Sequence, residues 1–230
     1  MISPLAFVDP AAKLGKNVTV QPFAYIEGDV EIGDDCIIMS GARILNGTRM
    51  GQKNKVHHGA VLGTTPQDFH YTGEKSLLII GDQNDIRENV VVSRATHEGD
   101  ATRIGNENFL MDGVHLCHDV QIGNHCVLGL KTIVAGDCRI SDFTILSSNV
   151  ILQQKCHIGS WVLIQSAVVL QHKHQVTDRI LRHIVNAYRL IYQGNFSIHD
   201  ALQKIEDQVP MSDEIHNILN FVRESKGIVK

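Results

Sequence analysis

Residues 114–126 read VHLCHDVQIGNHC, which places His115, Cys117, His118, Asp119 and His125 within a short run of chain. Three chemistries can use such a group. A metal site needs three or four convergent ligands. His115 and His118 supply only an H-x2-H pair, and the further histidines of QHKHQ (171–175) come many residues later. A Cys117–His118 nucleophile pair is weaker still, because adjacent side chains on extended chain point to opposite sides. General-base use of His118 fits best: imidazole titrates near neutrality and can take a proton from a hydroxyl, with the carboxylate of Asp119 beside it. The plain alternative is a set of solvated polar residues on the outside of a structural repeat.

That repeat is what must position them. Every sixth residue from Ile2 to Leu170 falls in one frame, and 26 of its 29 positions are Ile, Leu, Val or Met. The chain's 43% hydrophobic fraction would give about 12 by chance. The residue after the frame aliphatic is often glycine (Gly15, Gly33, Gly51, Gly63, Gly81, Gly105, Gly123, Gly159), mostly 18 residues apart. A period of six within eighteen predicts three short strands per coil, with glycine taking positive φ at a tight corner. The frame aliphatics fill a prism-shaped core, a parallel β-solenoid of nearly nine coils, about 40 Å long at roughly 4.8 Å per coil. His115 then faces outward and His118 falls near the following corner.

Asp68, Glu74 and Glu98 break the frame. An unpaired acid is too costly inside an aliphatic prism, so residues near 64–76 and 94–100 are expected to leave it as protruding loops. Four of the five cysteines (Cys36, Cys126, Cys138, Cys156) lie four residues past a frame aliphatic and read as small buried core residues. After Leu170 the period turns helical. Ile180, Ile184, Ala187, Leu190 and Ile191 share a face with Gly194 as a stop, and two serine-capped helices follow, the last ending before Gly227. The expected division is a solenoid domain over 1–174 and a small α-helical domain over 175–230. A net charge of -4 argues against a nucleic-acid partner. No apolar run is long enough to span a membrane, no secretory signal is visible, and the odd cysteine count suits a reducing cytoplasm.

The hexads together with PQD (66–68), IREN (86–89), HLCHD (115–119) and NAYRLIY (186–192) resemble the bacterial acyl-carrier-protein–UDP-N-acetylglucosamine O-acyltransferase family, which begins lipid A synthesis. The similarity runs in order along nearly the whole chain. It implies a homotrimer of left-handed parallel β-helices with active sites between neighbours. It also implies transfer of a fatty acyl chain, of hydroxyacyl type, from acyl carrier protein to a nucleotide-sugar hydroxyl. No cofactor or metal is implied. His118 matches the general base, Asp119 its acidic neighbour, and Gly136 the glycine whose N–H stabilises the oxyanion. Gln67, Asp68 and Gln154 match residues that hold the nucleotide sugar, and His115 an auxiliary histidine.

This chain departs from the family pattern inside the same region. Asp137 and Gln153 stand where the family has histidines, His70 where it has a basic loop residue, and Ser93 where it has a further histidine. Between Leu170 and NAYRLIY, only residues 171–185 replace a longer segment that reaches the nucleotide phosphates and the acyl groove. Arg179, Arg182 and His183 lie in this bridge, and no motif assigns them a role. The expected activity is O-acyl transfer with an altered acceptor site. The alternative is a catalytically reduced relative that binds a nucleotide sugar or the carrier, or only assembles.

Overall fold

The computed structural model describes residues 1–170, 178–192 and 196–224, with the side chains of 178–182, 192, 221 and 224 outside that description. The chain divides into two compact units, Met1–His172 and Lys173–Lys230.

In the first unit each frame aliphatic from Val8 to Leu170 lies in its own short strand, and Ile2 forms a single bridge to Val20. The strands stack into three parallel sheets of nine, eight and eight. The first runs from Phe7–Val8 to Val169–Leu170, the second from Lys13–Leu14 to His157–Ile158, and the third from Thr19–Val20 to Leu163–Ile164. Regular coils pair at an offset of eighteen, as in Leu116 with Val134 and Val134 with Leu152. Inside the prism the frame residues are sealed: Ile26, Ile38, Ile44, Leu62, Ile86, Leu116, Leu128 and Leu152 are all fully buried. Each contributes about 1.5–3 kcal/mol by leaving water.

The corner glycines depart from the expectation. Of the eight frame glycines, only Gly63 has positive φ. The left-handed backbone instead falls three residues past most frame aliphatics, at Asn17, Asp35, Lys53, Asp119, His125, Asp137 and Lys155 among others, with φ between 55° and 63° at these seven. Each such non-glycine residue costs about 1–2 kcal/mol, comparable to the burial gained per frame side chain, so the core must outweigh its own corners. The frame glycines answer a packing demand. A Cβ at Gly33 would lie 2.6 Å from the carbonyl carbon of Gly51, one coil along. This close approach lets a ladder of Asx side chains bridge the coils. Asp34, Asp82, Asn106, Asn124 and Asp142 each accept a backbone N–H from the preceding coil at 2.7–2.8 Å.

Cys36, Cys126, Cys138 and Cys156 are buried thiols. Burial pushes Cys138 up to about 12 and raises the other three, so all are inert as nucleophiles near neutrality. Between Cys36 and Cys126 the interior column is polar, with Asn54, Asn84 and Asn108 buried. Asn84 and Asn108 each donate Nδ2–H to the preceding asparagine's Oδ1 at 3.0 Å.

The second unit holds three helices, α1 (Asp178–Tyr192), α2 (Ile198–Gln208) and α3 (Asp213–Glu224). Ser197 caps α2 by accepting the Asp200 N–H at 3.1 Å, and Ser212 accepts from Ile215 at 3.5 Å before α3. Ala187, Ile191, Ile205, Val209, Ile215, Leu219 and Val222 form its core, with Ile184 and Leu190 packed against it. Gly194, Gly227, the histidines of 171–175 and the side chains of Ile180, Arg179 and Arg182 lie outside the described residues.

Candidate active site

One corner of the prism, where strands of the first sheet pass to the second, gathers most of the chemistry. Successive frame residues here are normally six apart, as in Leu116 to Ile122. On two consecutive coils the step is longer. Twelve residues separate Thr64 from Leu77, and seven separate Ser93 from Ala101. Both insertions are whole hexads, so the frame resumes in phase and the excess chain leaves at this corner. His118 occupies the same corner one coil later, since Val91 and Val92 pair with His115 and Leu116.

The two excursions hold each other. Arg94 N–H donates to the Thr64 carbonyl at 3.0 Å, and its guanidinium reaches the Gly63 carbonyl at 3.3 Å. The same guanidinium donates to the Tyr71 hydroxyl and lies over that ring, 5.5 Å from its centroid. Gly99 N–H donates to the Lys75 carbonyl at 3.1 Å. Residues of both loops are thereby presented to His118.

The His118 ring is 6% exposed. Its Nδ1 lies 2.9 Å from Asp119 Oδ2 and 3.1 Å from Thr96 Oγ1. The Thr96 hydroxyl donates to the same Asp119 oxygen at 2.8 Å, and the Thr96 N–H donates to it at 3.2 Å. Thr96 gives its hydroxyl proton to Asp119, so both oxygens beside Nδ1 can accept from it, and the ring is oriented with Nε2 toward the cleft. Asp119 is held in turn by its own N–H, which donates to Thr102 Oγ1 at 2.9 Å. On the far side of the ring, Asp68 Oδ2 lies 3.4 Å from Nε2. Asp68 Oδ1 accepts the His70 N–H at 2.8 Å and lies 2.8 Å from His70 Nδ1. The His70 N–H, then the His70 ring, hold the Asp68 carboxyl below its ordinary range.

Gly136 packs on the His118 imidazole. A Cβ there would lie 2.7 Å from Nε2 and collide with Cε1. Its amide N–H has no partner among the described residues. A cleft of about 320 Å³ opens beside the ring, lined by Asp68, His70, Thr96, His97, Asp100, His118, Asp119, Asp137, Gln154 and Lys155. Among the described residues, Lys155 is the only lysine or arginine in that lining.

The corner therefore brings together His118, Asp119, Gly136, Asp68, His70, Asp137 and Gln154 from the sequence reading. Gln67 and Gln153 are exposed and His115 is half-buried; none of the three lines the cleft. His115 sits on the outer face of the first sheet between Val91 and Ile133, where burial pushes its imidazole pKa down. Ser93 is buried at the root of the second loop, its hydroxyl 3.0 Å from that of Thr64. His125 belongs elsewhere, stacked on Phe143 at 4.8 Å, which stacks on Trp161 at 4.2 Å. Sequence reasoning did not single out Thr96, His97, Asp100 and Lys155. The only signal for the first three was membership in the frame-breaking loop. Among the described residues no group of three or more His, Cys, Asp or Glu side chains is placed to hold a metal ion.

Comparison with known proteins places the chain within a family. Residues 11–46 and 101–136 match the family model for the bacterial transferase hexapeptide (six repeats), which makes the architecture a left-handed parallel β-helix of the hexapeptide-repeat transferase class. Residues 167–229 match a second model, UDP-N-acetylglucosamine O-acyltransferase, domain 2. An acyl-[acyl-carrier-protein]–UDP-N-acetylglucosamine O-acyltransferase of Syntrophobacter fumaroxidans is 34% identical across 100% of this chain and 99% of its own length. One of the same description from Saccharophagus degradans is 45% identical over 128 residues, 55% of this chain and 50% of that protein. Among solved structures, a UDP-N-acetylglucosamine acyltransferase from Bacteroides fragilis is 42% identical with a TM-score of 0.75, covering 100% of both chains. That of Francisella novicida is 26% identical with a TM-score of 0.74, covering 96% of this chain and 90% of its own. The chain belongs to the acyl-[acyl-carrier-protein]–UDP-N-acetylglucosamine O-acyltransferase family.

Proposed function

We propose that this protein transfers a fatty acyl chain, of hydroxyacyl type, from acyl carrier protein to a hydroxyl of UDP-N-acetylglucosamine or a related nucleotide sugar. The observation that carries this reading is the imidazole of His118, tied at Nδ1 to Asp119 and Thr96 while Nε2 faces the cleft. In the proposed step Nε2 removes the proton of the sugar hydroxyl as its oxygen attacks the thioester carbonyl. Asp119 stabilises the imidazolium that forms. The unpartnered N–H of Gly136, packed on that ring, donates to the tetrahedral oxyanion. Collapse breaks the carbon–sulfur bond, and the departing thiolate takes the proton back from His118. The products are an ester and the free carrier thiol.

Asp68, 3.4 Å from Nε2, is the acceptor for neighbouring sugar hydroxyls, and Gln154 lines the same space. His70 and Asp137 border the sugar site, while Gln67, His115 and Gln153 reach substrate only across a boundary with a neighbouring copy. A homotrimer provides that boundary. Ile133, Ile151 and Val169 on the outer face of the first sheet, and Ile145 and Leu163 on the third, are each at least 37% exposed and want cover. The proposed place of action is the cytoplasm, where acyl carriers and nucleotide sugars meet. Among the described residues no helix is long and apolar enough to cross a membrane.

A binding or assembly module would need neither an imidazole oriented by Asp119 and Thr96 nor a bare glycine against it. Incubating the full chain with hydroxyacyl-carrier thioesters and a panel of nucleotide sugars, read by mass spectrometry, separates the two. An O-acylated nucleotide sugar is expected. Binding with no product on any acceptor would leave the module.

A further inference from the structure

The cleft beside His118 does not end at the corner. A groove of about 690 Å³ on the outer face of the second sheet is lined by Asp119, Gln121, Asp137, Arg139, Lys155 and His157. It shares Asp119, Asp137 and Lys155 with the cleft, so a ligand held at His118 passes onto this face without a break. We propose that the groove is the seat of the acceptor's diphosphate, with Arg139 and Lys155 as its principal contacts; this rests on the acceptor being a nucleotide sugar.

Register supplies the first support. Arg103, Gln121, Arg139 and His157 pair in one outward column across four coils, spaced about 4.8 Å apart. That spacing lets an arginine and its neighbours clasp two linked phosphates at once. Pairing supplies the second. At the other end of the same sheet the cations are satisfied: Lys13 meets Glu31 at 2.8 Å, and Arg49 meets Asp29 at 2.5 Å. Beside the cleft, Arg103, Arg139 and Lys155 form no ion pair among the described residues. Some other lysines and arginines of the prism also form no ion pair among the described residues. Arg139 and Lys155, however, line the groove that continues from the cleft, and in a chain of net charge -4 they are placed there for an anion.

Of the two carboxylates in the groove, Asp119 is committed to Thr96 and His118. Asp137 remains between them, in the same left-handed corner column as Lys155. Its charge disfavours a lone phosphate at the corner and moves the preferred anion outward to Arg139, whose planar guanidinium can grip a phosphate by two parallel hydrogen bonds.

The test uses the full chain and two probes, UDP and UMP, with Arg139→Ala, the Arg139→Ala/Lys155→Ala pair and Arg139→Lys. These side chains are exposed, and the melting temperature of each variant should match that of the parent. By calorimetry the parent should bind UDP more tightly than UMP, with an affinity that falls as salt rises. The double variant should lose about tenfold for UDP and much of the salt dependence, and Arg139→Lys should recover part of it. In turnover, the acceptor KM should rise with the carrier KM unchanged. Arg139-dependent UDP binding in a protein that transfers no acyl group would keep this proposal and remove the acyltransferase reading. Acyl transfer with an unchanged acceptor KM in the double variant would do the reverse. A rise in the carrier KM alone would assign the strip to the carrier and overturn the proposal, as would UDP affinity equal in parent and variant.

Discussion

Thr96 is the residue on which the His118–Asp119 pair leans most. Its hydroxyl and its N–H both hold Asp119, and the same oxygen faces Nδ1 of His118. Thr96→Val keeps the shape and the backbone contact but removes the hydroxyl. The expected loss is about tenfold in kcat with the acceptor KM nearly unchanged, measured in steady state. Gly136→Ala tests the opposite wall. Its Cβ would enter the space of the imidazole, so turnover should fall by about a hundredfold while the melting temperature moves little. How legible these residues were differs. His118 and Asp119 are adjacent in the sequence and form a visible titratable pair, whereas Thr96 lies 22 residues from His118 on an insertion. Only stacking at one corner joins them, and no local pattern encodes that. Lys155 was hidden for another reason: it occupies a left-handed corner position that elsewhere holds residues as unlike as Asn17, Lys53, Glu107, Phe143 and Ala167, so its type alone carries no message.

At the scale of the element, the hexad period made the strands, the inward residues and the two frame-breaking segments readable in advance. The corner geometry was not readable, because glycine answers two different demands. Here it mostly permits close coil-to-coil approach, while left-handed backbone is forced on ordinary residues two positions later. Coil stacking carries the site, so Leu116→Ala, which empties a fully buried position two residues before His118, should cost about 2–5 kcal/mol by denaturant melts. The corner after the third sheet adds a pH dependence. Arg87, bonded to Glu88 at 3.0 Å, is the main reason the Glu88 carboxyl is lowered to about 2. A carboxyl depressed in the folded state contributes stability above its unfolded value, near 4.5, and loses it as pH falls toward 2. Glu88→Gln should flatten the stability curve across that window by at most about 1 kcal/mol, because the pair is largely solvated and water screens it. An unchanged acid limb would assign acid sensitivity to other carboxylates.

Across the whole molecule the three faces of the prism are unlike. The outward side chains of the second sheet include Arg103, Gln121, Arg139 and His157, while the first and third expose Ile133, Ile151, Ile145 and Leu163. This asymmetry fits a prism that turns two faces toward copies of itself and one toward water. Ile151→Asp or Leu163→Asp should shift the mass seen by sedimentation from trimer toward monomer, and activity should fall with it if sites form between copies. The claim at the centre of this account is that His118 is the base, and its most direct test is the kcat of His118→Ala against the parent. The comparison uses a hydroxyacyl-carrier thioester and the best nucleotide-sugar acceptor, with both proteins shown folded. A loss of 100-fold or more is predicted; turnover in the variant equal to that of the parent would contradict it.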